Sequence, residues 1–102
     1  MTARRAKLIW TAPALDDLDD IAAWIAESDP VAAADVVLRV MTAVERLRTF
    51  PLSGRRVPEA PGGLYREVIV AGIRVLYRRE GRDVLIVNVL RGERLLAPRR
   101  LR

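Results

Sequence analysis

The chain has 102 residues, of which 51% are hydrophobic, and its 18 basic and 13 acidic side chains give a net charge of +5. This length predicts one domain, residues 1–102, with one modest core, and the apolar fraction is that of an ordinary globular protein. The lack of cysteine and histidine excludes disulfides, the usual zinc and copper ligands, and acid–base catalysis by histidine.

The charges are segregated along the sequence. Residues 1–50 carry six basic and eight acidic side chains, a net of −2, whereas residues 51–102 carry twelve and five, a net of +7. All the basic residues except Lys7 are arginines, whose planar guanidinium binds phosphate or carboxylate bidentately. Together with a pI of 10.9, this favours an anionic partner, which would be nucleic acid, the ribosome or an acidic protein.

The apolar segments are short. The longest runs, near Val84–Val87, are far shorter than a membrane span, and the basic N-terminal residues are not followed by the apolar core of a secretion signal. We therefore expect a cytoplasmic protein.

The first predicted elements are a strand and a helix. The run Lys7–Trp10 predicts a short strand, after which Thr11 caps a helix and Pro13 fits the first helical turn. Its apolar stripe follows the helical period and contains Leu15, Leu18, Ile21, Ala22 and Ile25. Four aspartates accompany the stripe, at Asp16, Asp17, Asp19 and Asp20. Because they diverge around the axis and lack the glycine loop of a calcium site, we interpret them as charges placed in the opening turns by the helix dipole.

A second helix is predicted to begin at Asp29-Pro30 and to run to about Arg48, where Phe50-Pro51 stops it. Its apolar stripe contains Ala33, Val36, Val37, Val40, Val44 and Leu47. Because the connection between the helices is short, they are expected to pack as an antiparallel hairpin.

The rest of the chain predicts a loop and a β-meander. The segment Pro51–Leu64 is rich in proline and glycine and is predicted to lack regular structure. Tight turns at Ala71-Gly72 and Glu80–Arg82 then separate three β-rich segments, which are Tyr65–Val70, Ile73–Arg79 and Asp83–Leu90. The whole order is β-α-α-β-β-β, an α+β fold with a helical hairpin packed on a small, curved, mainly antiparallel sheet.

Arginines are prominent on the predicted strands. Alternation puts Arg66 on one face of its strand, and Arg74 with Arg78 on one face of the next. If these guanidinium groups and those of Arg91 and Arg94, after the last strand, converge on one concave patch, that patch suits phosphate or a phosphoryl transition state. The residue pattern alone favours the other reading, a solvated face on which arginine stems cover apolar surface.

The other polar and aromatic candidates are weaker. Regular alternation places Tyr65 and Tyr77 opposite the strand arginines, which argues against either as a general acid. Trp10 and Trp24 are expected in the core, and no base accompanies a serine, which argues against a serine nucleophile.

Four segments resemble the RelE/ParE toxin superfamily of bacterial type II toxin–antitoxin modules. They are IWTAPALDDLDDIAAWI (Ile9–Ile25), RTFPLSGRRVPE (Arg48–Glu59), YREVIVAGIRVLYRREG (Tyr65–Gly81) and VLIVNVLRGER (Val84–Arg94). The resemblance covers nearly the whole chain and implies the RelE/ParE-like fold. It also implies an antitoxin, encoded beside the toxin, whose C-terminal segment wraps it. RelE-like members are ribosome-dependent endoribonucleases with a basic, tyrosine-containing site, whereas ParE-like members inhibit DNA gyrase and lack that set.

Only part of the RelE-like catalytic pattern is present. Arg66 matches the first of its two basic residues on one strand, but Val68 occupies the second position. Arg74 matches the basic residue of the next strand, while the catalytic arginine falls on Gly92 and the C-terminal tyrosine falls near Pro98. The phrases PLSGRRVPE and LYREVIVAGIRVLYR look closer to the ParE branch. That branch often has histidine where this chain has Arg91, and an aromatic residue where it has Ile73.

The resemblance therefore predicts a ParE-like inhibitor of DNA gyrase that is not an enzyme, uses no cofactor or metal, and forms a hetero-oligomer with a cognate ParD-like antitoxin. The alternative is a RelE-like mRNA endoribonuclease, acting with the ribosome through Arg66, Arg74, Arg91 and Arg94. A third possibility is an inactive relative retained for complex formation and autoregulation. The candidate target-binding residues are Arg55, Arg56, Arg66, Arg74, Arg78, Arg91 and Arg94.

Overall fold

A computed structural model describes residues 5–60 and 62–92 of the chain. Its elements in chain order are β1 (Leu8–Trp10), α1 (Ala12–Ala26), α2 (Pro30–Glu45), a 3-10 turn (Arg46–Arg48), β2 (Arg55–Arg56), β3 (Tyr65–Val70), β4 (Ile73–Glu80) and β5 (Asp83–Arg91). The strands form one sheet in the order β1-β5-β4-β3-β2, with β1 parallel to β5 and the other pairs antiparallel. The predicted fold class is confirmed.

Side-chain caps start both helices as the sequence predicts. The Thr11 hydroxyl accepts from the Ala14 amide at 3.4 Å and donates to the Ile86 carbonyl at 2.7 Å, so it also ties the start of α1 to β5. Asp29 accepts from the Ala32 amide at 3.0 Å. Proline follows each cap within two residues, where its missing amide hydrogen costs nothing.

The helices pack on one face of the sheet, called here the helix face. The buried side chains of this core include Ala14, Leu18, Ile21, Val40, Val44, Leu47, Ile73, Val75, Tyr77, Val84, Ile86 and Val89. The opposite face, called the loop face, is covered by the segment between β2 and β3. There Val57 and Ala60 pack with Tyr65, Leu76, Val87 and Leu90. The sheet is therefore covered on both sides, by helices on one and by a loop on the other.

Two predicted core residues of α1 are exposed. Leu15 is 46% exposed and Trp24 is 54% exposed, so their assignment to the core was wrong. The row that faces the sheet is Ala14, Leu18 and Ile21. At about 100° per residue, Leu15 lies about 60° from Leu18 around the helix axis and Trp24 about 120° on the other side. Trp10, by contrast, is half-buried against the core as expected.

The interpretation of the aspartates as helix-start charges was also wrong, because the first turn of α1 contains no acidic residue. Asp17 instead accepts from the Val89 amide at 3.0 Å and from the Asn88 side-chain amide at 3.4 Å. Its carboxylate thus joins α1 to β5 beyond the point where β1 ends.

The segment predicted to lack regular structure contains β2. Arg55 pairs with Glu67 and Arg56 with Arg66, a ladder too short to leave a period of two in the sequence. The α-helix of α2 ends at Glu45 rather than near Arg48, because the last residues tighten into the 3-10 turn. Neither α1 nor α2, within the described ranges, is long and apolar enough to cross a membrane.

Candidate functional site

The register of β3 and β4 separates the strand arginines. Arg66 pairs with Tyr77, and Arg74 pairs with Ile69. Cross-strand partners share a face of a sheet. Arg66 therefore lies on the helix face beside Tyr77, whereas Arg74 lies on the loop face. Arg66 and Arg74 therefore do not converge on one patch. The predicted placement of both tyrosines away from the strand arginines was wrong, since Tyr77 pairs with Arg66 and Tyr65 with Arg78.

The length of one turn explains this error. Ala71 and Gly72 both have positive φ, at 52° and 75°, as a two-residue hairpin turn of type I′ requires. Val70 therefore pairs with Ile73. Across a two-residue turn, residue i pairs with residue i+3, so an even-numbered residue shares a sheet face with an odd-numbered one. Arg66 and Arg74 are both even-numbered and therefore lie on opposite faces, which alternation counted along each strand separately does not reveal.

Arg74 is enclosed by two carboxylates on the loop face. Its guanidinium contacts Glu59 through two bonds of 2.8 and 2.9 Å, and Glu67 through bonds of 2.8 and 2.6 Å. Arg55 donates to the other oxygen of Glu67 at 2.5 Å. We call Arg55, Glu59, Glu67 and Arg74 the arginine–glutamate network. Arg74 is 5% exposed and Glu67 is 1% exposed, and the hydrogen bond to Glu59 holds the pKa of Arg74 above its ordinary value.

Arg66 is engaged on the opposite face. It donates to the Gly54 carbonyl at 2.8 Å. The buried Tyr77 hydroxyl accepts from the Gly54 amide at 2.9 Å and donates to the Pro51 carbonyl at 2.9 Å. These contacts fasten the loop after α2 to the sheet. The partner of Arg66 therefore lies in the segment Pro51–Leu64, which was predicted to lack regular structure.

The remaining candidate arginines lie apart. Arg78 pairs with Glu80 at 2.8 Å, and Arg56 is exposed at the β2 edge. The Arg91 guanidinium stacks over the Trp24 ring, 4.3 Å from its centroid, as a cation–π pair does. Arg94 lies outside the described residues.

The Trp24–Arg91 pair borders a groove between α1 and the end of β5. The groove has a volume of about 430 Å³ and is lined by Asp17, Asp20, Ile21, Trp24, Val89, Leu90 and Arg91. We call it the tryptophan groove. Tryptophan and arginine are both enriched among the residues that dominate protein–protein binding. The sequence signal for this groove is the position of Trp24, about 120° around the helix axis from Leu18 in the buried row.

The burial of Tyr77 makes the stability of the fold depend on pH in the alkaline range. Desolvation raises the pKa of Tyr77, partly offset by its hydrogen bond from Gly54. The folded state then holds this proton more tightly than the unfolded state, so the free energy of unfolding should fall as the pH rises above about 10, the pKa of a free tyrosine. Urea titrations at several alkaline pH values should show this fall in the wild type and a smaller one in Tyr77→Phe. Equal slopes for the two proteins would contradict the assignment.

Comparison with known proteins gives a consistent set of relatives. The sequence matches the family described as the ParE toxin of the type II toxin–antitoxin system parDE over residues 8–96. It is 43% identical to a putative toxin, Y4kP, of Sinorhizobium fredii over 84% of this chain and 88% of that protein. It is 36% identical to toxin ParE3 of Caulobacter vibrioides over 89% of this chain and 91% of that protein.

Solved structures share the fold. The chromosomal ParDE system of P. aeruginosa contains a chain that superposes with a TM-score of 0.73 at 24% identity, covering 89% of this chain and 100% of that one. The toxin–antitoxin complex RelBE2 of Mycobacterium tuberculosis contains another, with a TM-score of 0.58 at 22% identity, covering 85% of this chain and 98% of that one.

Proposed function

Because this chain belongs to the ParE toxin family of type II toxin–antitoxin systems, we propose that it inhibits DNA gyrase and that a cognate antitoxin neutralises it in the cytoplasm. The predicted membership of the RelE/ParE superfamily is confirmed. The target, the mode of inhibition and the antitoxin are the proposal.

The positions and hydrogen bonds of Arg66 and Arg74 support inhibition by binding over cleavage of RNA. A nuclease of the alternative type needs Arg66 and Arg74 to stabilise charge on one phosphoryl group. The two side chains lie on opposite faces of the sheet, and each is already bonded, one to a loop carbonyl and the other to two carboxylates. Arg74, which is 5% exposed, would have to leave its two carboxylates before it contacted RNA. An inhibitor that acts by contact needs neither arginine.

The tryptophan groove is the proposed contact surface for the target. It joins a half-exposed indole, a stacked guanidinium and two aspartates over a floor of buried apolar side chains in one concave site. This composition suits a small number of strong contacts with a protein surface. The exposed side chain of Trp24 is separate from the loop anchors described above, so it can be replaced without disturbing them.

Supercoiling of relaxed plasmid by purified gyrase tests the target. Micromolar toxin should block supercoiling or trap cleaved DNA, and addition of the antitoxin should restore the reaction. Unchanged supercoiling at toxin concentrations well above those of gyrase, with toxin that still arrests growth, would rule out gyrase as the target.

Trp24→Ala should weaken gyrase inhibition by about tenfold or more, because truncating an interface tryptophan costs about 2 kcal/mol or more. Stability should change little, since the side chain is 54% exposed. The matched control is Leu64→Ala, an apolar side chain 58% exposed on the loop before β3, which should inhibit like the wild type. If both variants inhibit equally, the tryptophan groove is not the contact surface.

The antitoxin is proposed from the family and from charge. A chain of net charge +5 suits an acidic partner, mainly because complementary charge speeds encounter. Expression alone should arrest growth or give poorly soluble protein, and co-expression with the neighbouring open reading frame should relieve both. Normal growth and yield without that partner would count against a toxin held inactive by an antitoxin.

A further inference from the structure

The acidic side chains of this basic protein are concentrated in one segment. Residues 8–38, which contain β1, α1 and the start of α2, carry seven of the 13 acidic side chains and no basic one. The tryptophan groove lies between α1 and the end of β5, so one of its walls belongs to this segment. A partner that enters the groove therefore meets an acidic helix, although the whole chain has a net charge of +5.

Asp20 is the carboxylate that the fold leaves available in this groove. The lining contains two carboxylates and one guanidinium, a net charge of −1. Asp17 accepts hydrogen bonds from Val89 and Asn88 and so belongs to the fold. Asp20 is exposed, and within residues 5–60 and 62–92 its side chain forms neither an ion pair nor a hydrogen bond.

The position of Asp20 is unfavourable for α1 itself. It follows Asp16 by four residues and Asp17 by three, the spacings at which like charges on a helix repel each other. Residues 8–38 contain no basic side chain that offsets this repulsion. The helix dipole gives little help, because its effect is confined to the first turn and Asp20 is the ninth residue of α1. A partner explains this charge better than the stability of the helix does.

The neighbouring indole indicates what kind of group would pair with Asp20. Trp24 follows Asp20 by four residues, so their Cβ atoms are about 5–6 Å apart on the helix surface. Arg91 covers one face of the indole, yet Trp24 is still 54% exposed. Lysine and arginine combine an apolar stem with a charged head. One such side chain can lay its stem on the exposed part of the indole and place its head at Asp20.

We propose that the tryptophan groove binds a segment of the target that carries a lysine or arginine, with its charged head paired to Asp20 and its stem packed on Trp24. This rests on the proposed function, in which the target is gyrase. An acidic antitoxin segment is disfavoured in this groove, because its carboxylates would face the acidic side of α1. Target and antitoxin then bind surfaces of opposite charge.

Charge reversal at Asp20, measured with purified toxin and gyrase, tests the pairing. Asp20→Lys should raise the toxin concentration that half-inhibits supercoiling by about tenfold or more, because like charges then face each other across the interface. Asp20→Asn removes one attraction and should raise it by about two- to fivefold. The matched control is Asp19→Lys, which makes the same change in net charge at an exposed position about 140° from Trp24 around the helix axis. It should inhibit like the wild type.

Urea denaturation of the same variants distinguishes partner binding from a structural role. Asp20→Lys and Asp20→Asn should be at least as stable as the wild type, because the repulsion from Asp16 and Asp17 is relieved. Weaker inhibition accompanied by lower stability would assign Asp20 a structural role and overturn the proposal.

Growth arrest in cells separates this inference from the identity of the target. If the wild type blocks gyrase and Asp20→Lys blocks it equally well, the inference is overturned while the proposed function stands. If the wild type arrests growth without affecting gyrase and Asp20→Lys no longer arrests growth, gyrase is the wrong target and the role of Asp20 stands. Loss of antitoxin binding by Asp20→Lys with undiminished inhibition would assign the groove to the antitoxin and overturn the proposal.

Discussion

Arg74→Ala is expected to lower the free energy of unfolding by about 3–5 kcal/mol, the range for breaking a buried ion pair from one side. The change leaves Glu67, which is 1% exposed, paired within the described part of the chain with the peripheral Arg55 alone. Urea denaturation should measure the loss. It is a large part of the total, since domains of this size are stable by about 5–15 kcal/mol.

Two further variants test whether the buried network contributes more to the free energy of unfolding than a surface ion pair does. Arg78→Ala removes a pair with Glu80, whose side chain is 63% exposed, and should cost less than about 1 kcal/mol. Arg74→Met combined with Glu67→Gln should be less destabilised than Arg74→Met alone, because the uncompensated charge is also removed. Equal losses for Arg74→Ala and Arg78→Ala would show that the network contributes no more than a surface pair.

Gly54→Ala is expected to destabilise the fold by about 1–3 kcal/mol or more through overpacking. An added Cβ would lie 2.6 Å from the Tyr77 hydroxyl oxygen and 2.7 Å from the Glu67 carbonyl oxygen. Neither neighbour can move freely, since Tyr77 is completely buried and the carbonyl belongs to the sheet. Thermal or urea unfolding should show the loss.

The clash also predicts that the effects of Gly54→Ala and Tyr77→Phe on the free energy of unfolding are not additive. Tyr77→Phe removes the nearest oxygen, so Gly54→Ala should cost less in that background than in the wild type. Ser53→Ala, at the exposed neighbouring position, should change the free energy of unfolding by less than about 0.5 kcal/mol. If Gly54→Ala is as mild as Ser53→Ala, the close approach of the loop to Tyr77 is wrong.

The net charge of +7 on residues 51–102 is thus larger than the positive charge that this half of the chain presents to a partner. Two of its arginines, Arg55 and Arg74, form a neutral group with Glu59 and Glu67. Arg66 fastens a loop. The charge that remains for a partner belongs to exposed residues such as Arg56, Arg79 and Arg82. Segregation of arginine along the sequence therefore reflects, in part, the anchoring of loops.

Local signals predicted much of the fold because they act over a few residues. The caps at Thr11 and Asp29, and the turns on either side of β4, each depend on adjacent side chains or on two-residue geometry. The meander and the helical hairpin follow from them. The two-residue ladder of β2 was missed because it is held in place by distant contacts rather than by its own pattern.

The candidate site was harder to predict, because its partners are distant in sequence. Arg74 meets Glu59, 15 positions earlier in the sequence, and Tyr77 meets Pro51, 26 positions earlier. No periodicity encodes such contacts. The opposite placement of Arg66 and Arg74, in contrast, was available from the sequence, since the Ala71-Gly72 turn fixes the register of the two strands.

Arg66 and Arg74, at two of the nuclease positions, serve structure, and we propose that the toxin acts by binding. Primer-extension mapping of mRNA from cells arrested by this toxin tests it most directly. We predict no codon-phased cuts on translated messages at an expression level that stops growth. Cuts that appear with the wild type and vanish in Arg66→Gln, a variant whose fold and solubility are preserved, would contradict the account.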